Sequence, residues 1–328
     1  MRAIQITALS GPNSALRMVD LPEPAASHML TPGQGVIIDV HAAGVSFPEL
    51  LQTRGEYQLK PPLPFIPGSE VAGVVRHAPP GALVQPGDRV AAFCVLGGLA
   101  EVAVAPDFLT FPLAPHLEFA QGAALILNYH TVYFALHVRG RLHAGETVLV
   151  HGAGGGIGTA ALQVAKGLGA VAIAVVSSDA KELVARRAGA DAVVRSGGAW
   201  KDEVMALTDN KGVDVVLDPV GGDRFVDSLR ALREDGRLVV VGFTSGTVPE
   251  VKVNRLLLNN IEVVGAGWGA YLMPKPQLNG EIGSAIANLI DEGFVNPVVG
   301  ARFRPEQAAE ALKLLEQREA IGKTVIEF

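Results

Sequence analysis

Residues Thr147–Gly158 read TVLVHGAGGGIG, and this stretch decides the fold. Its first four residues are apolar or β-branched, which is typical of a short strand buried on both faces. Gly152, Gly155 and Gly158 follow at three-residue spacing, and glycines let a backbone turn tightly and approach a pyrophosphate closely. Apolar residues then recur at helical spacing, so a helix N-terminus with free N–H groups would face the phosphates. The stretch therefore predicts the strand, glycine loop and helix of a dinucleotide-binding fold.

Length and composition narrow the possible classes of protein. A chain of 328 residues exceeds one ordinary core, so we expect two domains. The net charge of -6 and the 5% aromatic content do not favour a nucleic-acid partner. The single cysteine, Cys94, excludes an intramolecular disulfide framework and a cysteine-based structural zinc site. Without an apolar run long enough to span a bilayer or a leader sequence, we expect no membrane partner and a cytoplasmic location.

The chain before about residue 125 has the pattern of a small β barrel or sandwich. Short apolar runs at Val36–Val40, Val71–Val75 and Arg89–Phe93 are separated by turns rich in proline and glycine. Between two of these runs lies the proline-dense segment Phe47–Gly68, which contains Tyr57. This segment is either a rigid surface crossing or one wall of a substrate cleft.

From about residue 126 the pattern changes to alternating strands and helices. The predicted strands are Thr147–Val150, Val171–Val176, Ala192–Val194, Asp214–Leu217, Arg237–Gly242 and Ile261–Val264. Such alternation favours parallel pairing through right-handed crossovers, and hence a doubly wound sheet with its ligand at the carboxyl ends of the strands. Two amphipathic helices and a terminal strand from Lys323 to Phe328 follow.

The end of the second predicted strand indicates which dinucleotide binds. An NAD-specific site places an acid there, but this strand ends in Val175-Val176-Ser177-Ser178. Ser177, Lys181 and Arg195 are suited to a 2′-phosphate, so we expect NADPH as the cofactor. Asp179 follows at once and is interpreted either as a helix cap or as a ribose ligand.

The whole chain resembles the medium-chain dehydrogenase/reductases, and among them the zinc-less NADPH:quinone oxidoreductases. The stretches that carry the resemblance are Val45-Ser46-Phe47-Pro48-Glu49, Arg54-Gly55-Glu56-Tyr57, Pro64–Gly73 (PFIPGSEVAG), Gly87-Asp88-Arg89-Val90, His151–Gly158 and Leu217–Gly222 (LDPVGG). The resemblance implies an α/β chain: a GroES-like β domain from residues 1–125 and 268–328, and a Rossmann-like NADPH-binding domain from residues 126–267. It also implies a homodimer that pairs through the sheet edge at Ile261–Val264, where an apolar edge would otherwise be exposed.

The resemblance also implies a set of cofactor contacts. They are Thr131 near the nicotinamide; Gly155, Gly156, Ile157 and Gly158 at the pyrophosphate; Ser177, Lys181 and Arg195 or Ser196 at the 2′-phosphate; Phe243, Thr244 and Ser245 along the cofactor; and Arg318 closing over it.

Two positions where related alcohol dehydrogenases bind zinc differ in this chain. The catalytic cysteine is replaced in Val45-Ser46, and the Gly-His-Glu motif reads Gly68-Ser69-Glu70. Zinc prefers cysteine and histidine ligands, so we expect no metal. The resemblance places Ser46 and Tyr57 near the substrate as candidate catalytic residues, although many members have asparagine in the place of Ser46. Asn128, Tyr129 and solvent are alternative sources of the proton.

These observations predict an NADPH-dependent, zinc-independent reductase that transfers a hydride to a small quinone or an α,β-unsaturated carbonyl. Without a metal to stabilise an alkoxide, conjugate reduction is favoured over alcohol oxidation. Two alternatives remain: an enoyl-thioester reductase of the same superfamily, and a dinucleotide-binding redox sensor or structural protein without catalysis.

Overall fold

The computed structural model describes residues 1–272 and 275–328 of the chain. Its strands are, in chain order, β1 (Arg2–Ile6), β2 (Leu16–Asp20), β3 (Gly35–Val45), β4 (Glu70–His77), β5 (Arg89–Phe93), β6 (Val102–Pro106), β7 (Thr110–Pro112), β8 (Thr147–His151), β9 (Val171–Val176), β10 (Ala192–Arg195), β11 (Val213–Asp218), β12 (Leu232–Val240), β13 (Glu262–Gly265), β14 (Val299–Phe303) and β15 (Lys323–Glu327).

The α-helices are, in chain order, α1 (Pro12–Ala15), α2 (Phe47–Gln52), α3 (Phe119–Gly122), α4 (Thr131–Tyr133), α5 (Gly156–Gly167), α6 (Asp179–Arg187), α7 (Trp200–Leu207), α8 (Phe225–Arg230), α9 (Asn254–Asn259), α10 (Trp268–Leu272), α11 (Gln277–Asp291) and α12 (Ala308–Glu316). Turns of π-helix at Ile126–His130 and Phe134–Arg139 flank α4. None of the described helices is long and apolar enough to cross a membrane.

The chain forms two compact units, residues 1–127 with 297–328, and residues 128–296. The second boundary therefore lies after α11, rather than at residue 267 as the sequence analysis places it. Local packing explains the difference, because the Leu289 side chain of α11 occupies the space beside Gly167 at the end of α5. In addition, the Gln163 side chain donates to the Asn296 carbonyl at 2.8 Å and accepts from its N–H at 3.0 Å.

The second unit contains the predicted doubly wound sheet. Its strand order is β10-β9-β8-β11-β12-β13, and all neighbours are parallel. The chain winds outward from β8 in one direction and from β11 in the other, so these two adjacent strands form the topological switch point where α/β sheets bind ligands. Buried apolar side chains such as Leu149, Val216 and Leu238 fill its core.

The first unit is built on a mostly antiparallel sheet in the order β14-β15-β3-β4-β5-β7, with β6 also paired to β3. Its strand β3 runs through to Val45, farther than the predicted Val36–Val40, because it pairs with β6 in its first half and with β15 in its second. The register shift between Val40 and Ala42 lies where one pairing gives way to the other. This architecture confirms the GroES-like β fold.

The segment Phe47–Gly68 is not an irregular crossing throughout, because it begins with helix α2. Ser46 is its N-cap, Pro48 lies in its first turn, and the Ser46 N–H donates to the Glu49 carboxylate at 2.9 Å. A serine followed three residues later by glutamate is a capping box, and proline is favoured in a first helical turn. The helix could therefore have been predicted from the sequence.

Candidate active site

The glycine loop, Gly152–Gly158, connects β8 to α5 at the switch point. An added Cβ on Gly158 would lie 2.2 Å from the Gly152 carbonyl oxygen and 2.4 Å from Ala153 Cα, so only glycine fits there. Helix α5 begins at Gly156 with Gly155 as its N-cap. The N–H groups of Gly156, Ile157 and Gly158 belong to the first turn, whose donors have no partner within the helix. This backbone cradle fits the pyrophosphate of a dinucleotide.

Lys181 on α6 lies directly against this loop. An added Cβ on Gly154 would come within 2.6 Å of Lys181 Cβ and 2.8 Å of its Cγ. The glycine therefore makes room for the lysine stem beside the loop. The Lys181 N–H is held at the helix start by the Ser178 hydroxyl at 3.4 Å.

Ser177, Lys181, Arg195 and Ser196 form what we call the second-strand pocket, at the carboxyl ends of β9 and β10. The Ser196 N–H donates to the Val176 carbonyl at 2.9 Å, which brings the two strand ends together. Ser177 is exposed, while the other three residues are half-buried. The structure thus brings these four sequence-predicted residues together.

Two carboxylates bind Arg195 in this pocket. Its guanidinium donates to Asp179 at 2.5 Å and to Glu182 at 2.6 Å. Asp179 is thus an ion-pair partner at the first position of α6, and the N-cap is Ser178. Because exposed ion pairs are weak and easily exchanged, a phosphate could replace these carboxylates as the partner of Arg195.

The loops that follow β11 and β12 meet next to the glycine loop. The Thr244 and Ser245 N–H groups donate to the carbonyls of Pro219 and Val220 at 3.1 and 2.9 Å. An added Cβ on Gly152 would lie 3.4 Å from Val220 Cγ2, which brings the β11 loop beside the first glycine. Phe243 is 37% exposed on the same edge of the sheet.

The Asp218 carboxylate binds the backbone of the loop that follows β11. It accepts from the N–H groups of Val220 at 2.8 Å and Gly221 at 2.9 Å. Burial raises the pKa of this carboxyl, and these two donors oppose the rise. Asp218 therefore holds the loop that supports Thr244 and Ser245.

The other predicted contacts lie on separate elements. Thr131 is buried on α4, which packs against α5. The nearby Tyr129 hydroxyl donates to Gln163 at 2.7 Å in the core. Arg318 is exposed just after α12 in the first unit, with a positive φ of 60°.

In the first unit Ser46 belongs to a group of five polar side chains that we call the polar cluster: Ser46, Glu49, Ser69, Glu70 and Lys323. The Lys323 ammonium donates to Ser46 Oγ at 2.5 Å and forms an ion pair with Glu70. The Lys323 and Glu70 side chains are 3% and 0% exposed. The second Glu70 oxygen accepts from the Leu127 N–H at 2.8 Å.

Glu49 orients the same cluster from the other side. Its carboxylate accepts from the Ser46 N–H at 2.9 Å, the Ser69 N–H at 3.0 Å and the Ser69 hydroxyl at 2.7 Å. Burial raises the pKa of Glu49, and the bond from Ser69 and the charge of Lys323 act against that rise. Burial, and then the negative charge of Glu49, raise the pKa of Tyr57. The Tyr57 hydroxyl therefore stays protonated at neutral pH and can donate a hydrogen bond.

Cys94 lies in the core of the first unit. Its thiol donates to the Gly68 carbonyl at 3.5 Å, and burial raises its pKa above the usual range. Among the described residues, no group of three or more histidine, cysteine, aspartate or glutamate side chains has the arrangement of a metal site.

Sequence reasoning missed Lys323, Glu70 and Glu49 as members of the site. Glu49 had a local signal, since it closes the capping box begun by Ser46. Glu70 lies in the Gly68-Ser69-Glu70 motif, but its pairing with Lys323 had no local signal, because 253 positions separate the two residues along the chain.

Comparisons with known proteins identify the family of the chain. The description "Alcohol dehydrogenase GroES-like domain" matches residues 32–115, and "Zinc-binding dehydrogenase" matches residues 156–280. Quinone oxidoreductase-like protein 2 of Rattus norvegicus is 38% identical over 298 residues, which cover 89% of this chain and 85% of that protein.

Solved structures are similar over the full length. A probable oxidoreductase from Mycobacterium abscessus is 44% identical with a TM-score of 0.89, covering 100% of this chain and 99% of that one. A mycobacterial protein solved in complex with NADPH is 32% identical with a TM-score of 0.88, and the match covers 100% of both chains.

Proposed function

The chain belongs to the medium-chain dehydrogenase/reductase superfamily, in its zinc-less quinone oxidoreductase type, and on this premise we propose that it is an NADPH-dependent reductase of quinones or α,β-unsaturated carbonyls. The observation that carries the proposal is the carboxyl edge of the second unit, where a glycine cradle adjoins a pocket with Lys181 and Arg195. Phosphate groups suit both features.

The proposed cofactor contacts follow the order of these elements. Gly155, Gly156, Ile157 and Gly158 bind the pyrophosphate through backbone N–H groups. The second-strand pocket (Ser177, Lys181, Arg195 and Ser196) binds the 2′-phosphate, with Arg195 exchanging its carboxylate partners for it. Thr131, Phe243, Thr244, Ser245 and Arg318 are proposed as contacts along the rest of the cofactor.

The proposed reaction is a conjugate reduction. When bound, NADPH supplies a hydride, so the acceptor gains two electrons and one hydrogen at carbon. The negative charge moves to the acceptor's carbonyl oxygen, and the resulting enolate takes one proton. With an enone this proton ends on the α-carbon and gives the saturated carbonyl, and with a quinone a proton also moves from the reduced ring carbon to oxygen and gives the hydroquinone. Ser46 and Tyr57 are the side chains proposed to donate hydrogen bonds to that oxygen.

Zinc independence is part of the proposal, and the polar cluster supports it. The Ser46 hydroxyl is bound by an ammonium and the Ser69 hydroxyl by a carboxylate, so both stand in internal hydrogen bonds. A divalent cation beside Ser46 would be repelled by the charge of Lys323. Activity should survive dialysis against a strong chelator, with less than one zinc per chain by metal analysis. Activity lost to the chelator and restored only by zinc would contradict this part.

The test of function is a steady-state screen of the purified chain with NADPH and NADH against quinones, enones and enoyl thioesters. We expect NADPH oxidation with quinones or enones, and a lower kcat/KM with NADH. A preference for enoyl thioesters would assign the related reductase instead. Binding of NADPH without turnover of any acceptor would indicate a sensor or structural protein.

A homodimer is also proposed, through the edge of the second unit's sheet. Strand β13 is the outer strand of this sheet. The helix before it, α9, exposes apolar side chains: its N-cap Val253 is 71% exposed, and Leu257 and Leu258 are 77% and 75% exposed. Covering such a patch and edge with a second copy would bury apolar area. Light scattering should give twice the chain mass, and Leu257→Lys/Leu258→Lys should give the single mass. Leu83→Lys, at an exposed leucine of the first unit, is the matched control.

A cytoplasmic location is proposed as well. Its support is Cys94, a free thiol buried in the core, which suits a reducing compartment. Cell fractionation with an antibody to the chain tests it, and recovery outside the cytoplasmic fraction would overturn it.

A further inference from the structure

Lys323 is a buried ammonium whose contacts dictate the direction of a neighbouring hydrogen bond. It lies at the start of β15 and is 3% exposed, with Ser46 Oγ at 2.5 Å and Glu70 as its ion-pair partner. A lysine ammonium has three donors and no acceptor, so Ser46 Oγ must accept this bond. The hydrogen of the Ser46 hydroxyl therefore points away from Lys323.

The cluster has one partly open member. Lys323, Glu70 and Glu49 are buried, whereas Ser46 is half-buried. A hydroxyl that accepts a bond from a cation becomes a stronger donor, because hydrogen bonds in a chain polarise one another. The charge of Lys323 can thus reach a ligand through the Ser46 hydroxyl without the lysine being exposed.

We infer that Lys323 is a positioning residue that directs and polarises the Ser46 hydroxyl toward the carbonyl oxygen of the substrate, where negative charge develops. This inference rests on the proposed quinone or enone reduction. Ser46 is the group that touches the substrate, and Lys323 acts through it. The ligand class is a carbonyl oxygen becoming an enolate or a phenolate.

The surrounding structure holds this arrangement in place. Gly44 on β3 leaves the space that the two stems occupy, since an added Cβ would lie 2.7 Å from Lys323 Cε and 2.8 Å from Glu70 Cγ. The Leu127 N–H fixes the second oxygen of Glu70, and the Glu49 carboxylate fixes the Ser46 main chain. Donors fixed in advance are the ones that stabilise a developing oxyanion most effectively.

The first test is a mutant cycle in steady-state kinetics. Ser46→Ala removes the hydroxyl, and Glu70→Gln/Lys323→Met removes both charges while leaving an oxygen for the Leu127 N–H. Each should lower kcat with a quinone roughly tenfold, as expected for the loss of a charge-assisted hydrogen bond, and leave the KM for NADPH unchanged. The triple variant should be no slower than Ser46→Ala, because both changes remove the same interaction. The inference would be overturned if the losses of kcat multiplied in the triple variant, or if Glu70→Gln/Lys323→Met had the kcat of wild type.

Ser46→Gly is the matched control, since glycine also serves as an N-cap but carries no hydroxyl. Its kcat should be lowered as much as that of Ser46→Ala, which separates loss of the hydroxyl from loss of the cap, and a kcat near that of wild type would overturn the role of the hydroxyl. Urea unfolding of every variant checks that a slow enzyme is a folded one.

The second test measures ligand binding without catalysis at the oxygen site, by which we mean the position next to the Ser46 hydroxyl where the substrate oxygen is proposed to bind. 4-Nitrophenol absorbs differently as phenol and as phenolate, so its spectrum when bound reports how far the site favours an oxyanion. Wild type should bind the phenolate roughly tenfold more tightly than either Ser46→Ala or Glu70→Gln/Lys323→Met. Equal phenolate affinity in all three proteins would overturn the role of Lys323. If wild type shows this preference but reduces no quinone or enone, the proposed function fails and the oxygen site stands.

Discussion

The carboxyl edge of the second unit and the polar cluster of the first are built in opposite ways. The edge presents backbone N–H groups and loops, held by glycines and by short-range bonds such as Ser245 N–H to the Val220 carbonyl. The polar cluster presents side chains from β4, β15 and the start of α2, and it buries an ammonium and two carboxylates. Substitutions that alter the backbone should therefore be most harmful at the carboxyl edge, and substitutions that remove a charge should be most harmful in the polar cluster.

The largest expected effect breaks the charge balance of the cluster. Lys323→Met leaves Glu70 buried without its ammonium, and removing one partner of a buried pair costs about 3–5 kcal/mol of unfolding free energy. Glu70→Gln/Lys323→Met should recover most of that loss because no buried charge is left over. Urea unfolding measures all three proteins, with Lys211→Met at an exposed lysine as the control. A double variant as unstable as the single one would show that shape, not charge, holds the cluster.

The next largest effect is expected from a substitution in the glycine loop of the carboxyl edge. Gly158→Ala places a methyl group against the Gly152 carbonyl and Ala153, which should cost about 1–3 kcal/mol of unfolding free energy and weaken NADPH binding. Gly280→Ala is the matched control, since this exposed glycine in α11 has open space around its added Cβ. It should stabilise the chain by up to about 1 kcal/mol. Urea unfolding and NADPH titration report both variants, and equal effects would contradict the steric account.

The same contrast explains what the sequence could predict. The glycine loop, β9 and the second-strand pocket are local patterns, so their spacing predicted a cradle, a strand and an anion site within fifty residues. The ion pair of Lys323 with Glu70 depends on β15 lying beside β3, and β3 beside β4. The residues that neighbour Lys323 and Glu70 in the sequence do not predict this ion pair. Asp179, at the start of α6, was ambiguous for a related reason, because its partner Arg195 lies on strand β10.

Helix α11 shows a further limit of pattern reading. Its apolar spacing predicted a helix, and a helix forms over Gln277–Asp291. An amphipathic pattern shows that one face is buried, but not which surface covers it. The contact of Leu289 with Gly167 assigns the helix to the second unit, and this contact is not visible in either segment alone.

Buried histidines should make the second unit sensitive to acid. In the second unit His130 and His151 are buried, and burial lowers each pKa to about 3, with the Arg224 charge adding to the effect on His151. In the unfolded chain the pKa is about 6.5, so the unfolded state binds more protons at intermediate pH. Stability should fall as pH drops from about 6.5 toward 3, by up to about 1.4 kcal/mol per pH unit for each histidine.

His151→Gln tests that prediction at one site. The glutamine amide can still donate to the Ser228 hydroxyl, which lies 2.8 Å from His151 Nε2, but it does not titrate. Urea unfolding between pH 7 and pH 5 should therefore show a shallower loss in this variant than in wild type. His116→Gln, at an exposed histidine, should keep the wild-type slope. Parallel slopes in all three proteins would mean that His151 does not contribute to acid sensitivity.

The smallest expected effect sharpens the assignment of the second-strand pocket. Lys181→Ala removes the cation whose stem rests on Gly154, and it should raise the KM for NADPH roughly three- to tenfold while leaving that for NADH nearly unchanged. The difference should shrink with added salt, since a partly exposed ion pair is screened over about 8–10 Å. Lys211→Ala, at an exposed lysine of the same unit, should change neither KM. If wild type prefers NADH, or if Lys181→Ala weakens both cofactors equally, Asp179 is the residue that reads the ribose, and Asp179→Asn should then weaken NADH alone.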